Sequence, residues 1–274
     1  MSTYADLHTH TFFSDGTQSP QEVVQEAAAK GLCCVSITDH DSLEAIVPAL
    51  AAAKAAGIEC LPGIELSSEY EGKEIHVLGY GFDFQQKELR GYLEDVRELR
   101  RQRMKAMVQR LHDLGISSIE WSDIKTERPS TSLGRPHLAA VLVQKGIVKN
   151  MTQAFDQYLA EGAPAYVSKP KFSPFAAIDL IKKAGGAAVL AHPMLNQKDE
   201  IIPRLVGHGL DGLEVYYPGC SHSIRQHYEG LAKKHKLLMT GGSDAHGDMK
   251  PHTFVGKVKI PYTLVEELKA RLQK

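Results

Sequence analysis

The sequence predicts an α/β fold of the parallel type with a helical segment inserted into it, and three observations carry that reading. Short apolar runs alternate with helical stretches in the order strand, polar turn, helix, strand, the rhythm of a parallel sheet covered by helices. Histidines and carboxylates gather just past those runs, and α/β folds collect functional groups at the carboxyl ends of strands. Between Gln86 and Ala165 the rhythm stops and a long charge-rich helical pattern replaces it. The expected partition is 1–85 with 166–274 as the main body and 86–165 as the insertion.

The chain opens on Ala5 to Gly16, Ala-Asp-Leu-His-Thr-His-Thr-Phe-Phe-Ser-Asp-Gly. In an extended strand side chains alternate between faces, so His8 and His10 project from the same one and can share an ion. Asp15, in a turn closed by Gly16, adds a carboxylate for the same ion or a neighbouring one. Ser19-Pro20-Gln21-Glu22 reads as a capping box with proline at the first helical position, and the helix runs to Lys30 with Gly31 as its stop. Leu32 to Ile37 is the next strand, with Thr38-Asp39-His40-Asp41 past its end. Leu43 to Ala56 is an alanine-rich helix stopped by Gly57, and Ile58 to Leu61 is a strand with Glu65 just beyond it. In a further strand, Glu74 to Tyr80, His76 and Leu78 take one face while Ile75 and Val77 take the other.

Within the insertion, Glu88 to Leu114 reads as one long helix. Its arginines and lysine, Arg97, Arg100, Arg101, Arg103, Lys105 and Arg110, interleave with Glu94, Asp95 and Glu98, the pattern of a solvated face with paired charges four residues apart. The strand and helix rhythm then resumes. Ser173-Pro174 starts a helix ending at Gly185-Gly186, and Ala187 to Ala191 is a small strand running into His192-Pro193. Gly212 to Tyr216 and Leu237 to Thr240 are two more strands, the second followed by Gly241-Gly242-Ser243-Asp244-Ala245-His246-Gly247.

At 274 residues, 43% hydrophobic and 24% charged, the composition is that of a globular protein, and a formal net charge of -1 provides no global basic field for extended nucleic-acid binding. Small anionic ligands remain open. No secretory signal or membrane-length apolar run is read, so a cytoplasmic location without membrane or obligate protein partner is expected. The four cysteines lack Cys-x-x-Cys spacing and read as reduced thiols. No Gly-x-Ser-x-Gly, P-loop or dinucleotide motif is present.

Nine ligand-type residues stand out: His8, His10, Asp15, His40, Glu65, His76, His192, Asp244 and His246. A catalytic zinc takes about three protein ligands, so nine candidates point to two or three ions bridged by a carboxylate such as Glu65. Imidazole and carboxylate donors suit manganese, iron or zinc alike, and manganese is the ion expected, with iron or zinc as alternatives. The other histidines read as surface residues, with His137 and His222 as exceptions.

These motifs, in the order His8-x-His10, Asp15, Thr38-Asp39-His40-Asp41, Pro62-Gly63-Ile64-Glu65, His76, Ala191-His192-Pro193 and Gly242-Ser243-Asp244-Ala245-His246-Gly247, resemble the PHP (polymerase and histidinol phosphatase) family. The resemblance implies a distorted (β/α)7 barrel, TIM-like, with three ions at the carboxyl end of its strands. It implies one ion on His8, His10, Glu65 and Asp244, a second on Glu65, His76 and His192, and a third on Asp15, His40 and His246. Leu133-Gly134-Arg135-Pro136-His137 is similar to the insertion motif of stand-alone 3′,5′-nucleotide bisphosphate phosphatases and related 5′-to-3′ oligoribonucleotide exonucleases. The implied activity is hydrolysis of a nucleotide phosphate monoester, the 3′-phosphate of nucleoside 3′,5′-bisphosphates, with trimming of short oligonucleotides as a related activity. The alternatives are histidinol-phosphate phosphatase and a non-catalytic metal-binding module. Departure of a ribose oxygen requires a proton donor, for which His192, Asp244 and water are the candidates. Arg135 and His137, at the start of a helix, are expected to clamp substrate phosphate over the metals, with His222 as a further substrate contact.

Overall fold

The computed structural model describes residues 3–124, 132–168, 172–250 and 252–273. The first strand, β1 (Tyr4–Thr9), places Ala5 and Leu7 in an apolar cluster with Leu78, Tyr80, Val189 and Ile260, which leaves Asp6 and His8 for the opposite face. Helix α1 (Pro20–Ala29) starts on the expected capping box: Ser19 Oγ accepts from the Glu22 amide while the Glu22 carboxylate accepts from the Ser19 amide. Next come β2 (Cys34–Ile37), α2 (Ile46–Ala56) and the two-residue β3 (Glu59–Cys60). A hairpin, β4 (Gly63–Tyr70) and β5 (Lys73–Tyr80), follows, turning at Glu71 and Gly72, both with positive φ. Glu65 therefore lies inside a strand and not just past one as expected, and it sits diagonally across the hairpin from His76.

The chain divides into two compact units, Met1–Gly91 with Lys171–Lys274, and Tyr92–Pro170. The long helix α3 (Lys87–Asp113) leads into the second unit, which continues with α4 (Arg135–Gln144) and α5 (Met151–Ala154), the latter passing into a π turn at Phe155–Leu159. Met104, Met107, Leu111, Ile119, Leu138 and Leu142 form the core of this unit. The expectation that the α3 cations are all solvated fails at two positions. Arg100 and Arg103 are buried, and they donate to the backbone carbonyls of Leu133 and Val167. A buried guanidinium carries five donors and satisfies loop carbonyls that have no ladder partner.

In the first unit the chain resumes with α6 (Pro174–Lys183), β6 (Ala187–Leu190), α7 (Pro193–Asn196), α8 (Ile202–Gly207) and β7 (Gly212–Tyr216). It ends with α9 (His222–His235), β8 (Leu238–Gly241), β9 (Ile260–Pro261) and α10 (Tyr262–Leu272). The strands make two sheets, ordered β3-β2-β1-β9 and β4-β5-β6-β7-β8. Parallel bridges at Thr9–Ala245 and His40–Glu65 link them. The fold is thus mixed α/β. The expected seven-stranded ring is not found closed among the described residues: the strands form two sheets joined only by those isolated bridges, and β4-β5, β5-β6 and β1-β9 pair antiparallel where a (β/α) ring is parallel. No described helix is long and apolar enough to cross a membrane.

Candidate metal centre

The bridges between the two sheets fall where the ligand-type residues lie, and backbone anchors hold them there. The Asp39 carboxylate accepts from the Thr11 amide (2.7 Å), Thr11 Oγ1 (2.6 Å) and Ser14 Oγ (2.6 Å), which pins the loop carrying His10 and Asp15. Asp6, pushed up to about 6 by burial, accepts from the amides of Ser243 and Gly256 and so ties β1 to the segment carrying Asp244. A Cβ at Gly242 would collide with His8, so only glycine lets that segment approach β1. His192 and Asp244 have positive φ, 27° and 46°, a conformation disfavoured for residues with a Cβ and characteristic of positions held for function.

Glu65 is the centre of the arrangement. Its Oε2 lies 3.2 Å from His8 Nε2, 3.2 Å from His10 Nε2 and 3.1 Å from His40 Nδ1. Its Oε1 lies 2.8 Å from His76 Nδ1 and 3.0 Å from His192 Nε2. Asp244 Oδ1 lies 3.4 Å from His8 Nε2 and 3.2 Å from His10 Nε2, while Asp15 Oδ1 faces His246 Nε2 at 3.2 Å. All nine expected residues thus meet in one cage. Burial pushes the Glu65 carboxyl up, but the imidazoles of His40, His76 and His8 hold it well below the ordinary carboxylate range. Asp15 is likewise pushed up by burial and held down by His246 and His40. Burial opposes the charged form of His8, yet Glu214, Glu65 and Asp244 hold it well above its usual value.

The chemistry of the cage fits divalent ions. Donors about 2.0 to 2.2 Å from a shared ion lie roughly 3 to 3.5 Å apart, the spacing found around Glu65 and Asp244. His192 Nδ1 is buried without a hydrogen-bond partner, and Asp15 Oδ1, His40 Nδ1 and His246 Nε2 are buried beside an oppositely charged neighbour but outside hydrogen-bond geometry, an arrangement that costs free energy unless something else satisfies them. Among the described residues, three sets have ligand atoms within 4.8 Å of one another: His8, His10, Glu65 and Asp244; His10, Asp15, His40 and His246; and His40, Glu65 and His76. The first has the expected membership. The second adds His10 to the expected trio, and the third has His40 where His192 was expected, although His192 still faces Glu65.

Sequence reasoning missed the groups around the cage. Glu214 Oε1 lies 2.8 Å from His8 Nδ1 and its Oε2 accepts from the His192 amide at 2.8 Å, so one carboxylate orients two ring-bearing segments. The signal was present, since Glu214 alternates with Leu213 and Val215 in an otherwise apolar strand. Tyr217 donates to Asp244 Oδ2 at 2.7 Å, and Lys250 donates to the same oxygen at 3.0 Å. Of the expected substrate contacts, Arg135 and His137 belong to the second unit and His222 to the first. In the second unit, the Arg135 guanidinium stacks over Phe155 and Tyr166 and donates to the Leu159 carbonyl, while His137 Nδ1 caps the Gly134 amide. His222 is exposed at the start of α9, its Nδ1 accepting from Arg225.

Residues 6–165, more than half of the chain, match the PHP domain. The chain belongs to the PHP family. This PHP protein is 34% identical over 283 residues to a 3′,5′-nucleoside bisphosphate phosphatase of Chromobacterium violaceum, with 97% of each chain covered. It is 35% identical over 251 residues to a 5′-3′ exoribonuclease of Haemophilus influenzae, covering 90% of this chain and 91% of that one. Among solved structures, it is similar to a proposed metal-dependent phosphoesterase from Bifidobacterium adolescentis, with a TM-score of 0.89, 34% identity and 97% and 96% of the two chains covered. This PHP protein is a metal-dependent phosphoesterase, a hydrolase of phosphate ester bonds.

Proposed function

We propose that this PHP protein removes the 3′-phosphate from nucleoside 3′,5′-bisphosphates. One observation carries the choice of substrate: the correspondence with the Chromobacterium phosphatase covers 97% of both chains, insertion included. His8, His10, Glu65 and Asp244 would hold one ion, Asp15, His40 and His246 with His10 a second, and Glu65 with His76 and His40 or His192 a third, manganese before iron or zinc. Bound divalent ions supply neutralisation of phosphoryl charge and activation of water.

The chain's own residues do the rest. Glu214 donates no proton to the reaction in this reading; it accepts from His8 Nδ1 and would thereby leave the Nε2 lone pair for an ion held beside Glu65. Of the proton donors weighed for the departing ribose oxygen, Asp244 does not fit. Burial pushes its carboxyl up, but Lys250, His246 and His8 hold it well below the usual carboxylate range, so it has no proton to give. His192 is the proposed donor: with its Nε2 beside Glu65 on an ion held there, the ring proton would sit on Nδ1, which is buried without a hydrogen-bond partner. Arg135 and His137 remain the proposed contacts for substrate phosphate.

The test is a panel: adenosine 3′,5′-bisphosphate, a 5′-phosphorylated short oligoribonucleotide and histidinol phosphate, each with added manganese. The highest kcat/KM is expected on the bisphosphate. A higher value on the oligoribonucleotide establishes the second reading, a 5′-to-3′ exonuclease, which the Haemophilus relative favours. A higher value on histidinol phosphate overturns both, and no turnover of any substrate leaves a metal-binding module.

A further inference from the structure

Asp244 faces two ways. Its Oδ1 looks into the cage toward His8, His10 and His246, at 3.4, 3.2 and 3.6 Å. Its Oδ2 looks outward and accepts from Tyr217 and Lys250. The Asp244 side chain is 6% exposed and that of Lys250 is 47% exposed, so the lysine runs from solvent to the rim of the cage and ends there as an ammonium. Its position is built. Gly247, just past His246, is packed so closely on Thr17 that a Cβ would collide with the hydroxyl, and the Asp248 amide donates to that hydroxyl at 3.0 Å. Thr253 Oγ1 then donates to the backbone carbonyls of both Asp244 (3.2 Å) and Lys250 (3.1 Å), clasping the two ends of the turn together.

An ammonium has three donors, and Asp244 engages one. Tyr217 already donates to the same carboxylate oxygen at 2.7 Å, so Asp244 does not depend on Lys250 for a partner. What Lys250 adds at the rim is a positive charge with donors left over, next to the cage in which a phosphate ester would be hydrolysed.

We propose that Lys250 is a substrate-binding residue whose ammonium, anchored on Asp244 Oδ2, takes the phosphoryl oxygens of a phosphate monoester dianion in preference to those of a diester. The inference rests on the phosphomonoesterase reading above and deepens it. A terminal phosphate carries about -1.5 to -2 charges at pH 7 against -1 for a diester, so a fixed cation favours the monoester. A point charge on a half-exposed stem can follow the phosphoryl group, whereas the buried ligands cannot.

The experiment compares wild type, Lys250→Gln and Lys250→Arg on p-nitrophenyl phosphate and bis-p-nitrophenyl phosphate, with metal content measured on each preparation and inorganic phosphate titrated calorimetrically. Lys250→Gln is expected to lower kcat/KM on the monoester by on the order of 10- to 10²-fold, the loss of one charge-assisted hydrogen bond, and to weaken phosphate binding by a similar factor. The diester should lose far less, metal content should hold, and Lys250→Arg should recover most of the activity. Equal losses on both esters, unchanged phosphate binding, or metal loss that tracks the lost activity would each overturn the proposal. Generic esters keep this test separate from the choice of nucleotide, and if wild type hydrolyses neither ester, the phosphomonoesterase reading fails while phosphate calorimetry still decides on Lys250.

Discussion

Glu65 and Glu214 show how one kind of side chain does two jobs in the cage. Both oxygens of Glu65 face imidazoles, so it is the residue two ions would share, whereas Glu214 acts through His8 and His192. Glu65→Gln should therefore lose more metal than Asp15→Asn, which removes a carboxylate from one set only. Glu214→Gln should keep the ligands but weaken metal affinity about 10- to 100-fold, the usual cost of losing an orienting partner. Metal analysis of the three variants checks the ranking, and full occupancy in Glu65→Gln contradicts it. At this scale the sequence was most informative where spacing itself is geometry. His8 and His10, two apart, lie in the cage as alternation requires. Lys250 gave no signal, because its place depends on a turn held by Thr17, 231 residues away from Asp248 in sequence.

Elements built on short-range rules were legible, and those built on pairing were not. The capping box at Ser19 and Glu22 and the strand Gly212–Tyr216 were read from local pattern alone. Glu65 was read as a residue past a strand because Pro62-Gly63 looks like an ending; in fact the chain starts β4 there, with Ile64 and Leu66 buried on either side of it. Arg100 and Arg103 were read as solvated because charge spacing reports the helix itself and not the loop carbonyls that later cover it. Arg135 belongs to this scale, since it stands at the first position of α4 and its guanidinium rests on two rings and the Leu159 carbonyl of the π turn. As a phosphate contact, Arg135→Ala should lower kcat/KM on the bisphosphate by on the order of 10² to 10³, from about 1.5 to 3 kcal/mol for each charged hydrogen bond, with metal content unchanged. If kcat/KM stays near wild type, the arginine serves only to hold Phe155 and Tyr166.

For the whole molecule, α/β character followed from the rhythm of apolar runs, but the arrangement into two sheets did not. A strand and helix rhythm is a one-dimensional record, and whether a sheet closes is decided by pairings such as β1 with β9 that join distant parts of the chain. Metal should matter at this scale too, because ligands that bind only the folded state raise stability. At a free ion concentration 1,000 times Kd the gain is about 4 kcal/mol, on the order of 10 °C in Tm for a unit of this size. A melting curve with and without chelator reads it, and identical midpoints would mean that the ions add nothing to the fold. Asp6 has one more consequence. Its carboxylate is tied to amides 237 and 250 residues further along, so the strand that carries His8, paired early with β2, acquires its remaining neighbours only once Ser243 and Gly256 exist. On the ribosome the first two histidines emerge long before Asp244 and His246, and closing so long a loop is a late, slow event. Ion capture by the complete cage therefore waits until the segment carrying Asp244 and His246 has been made and has folded back onto β1.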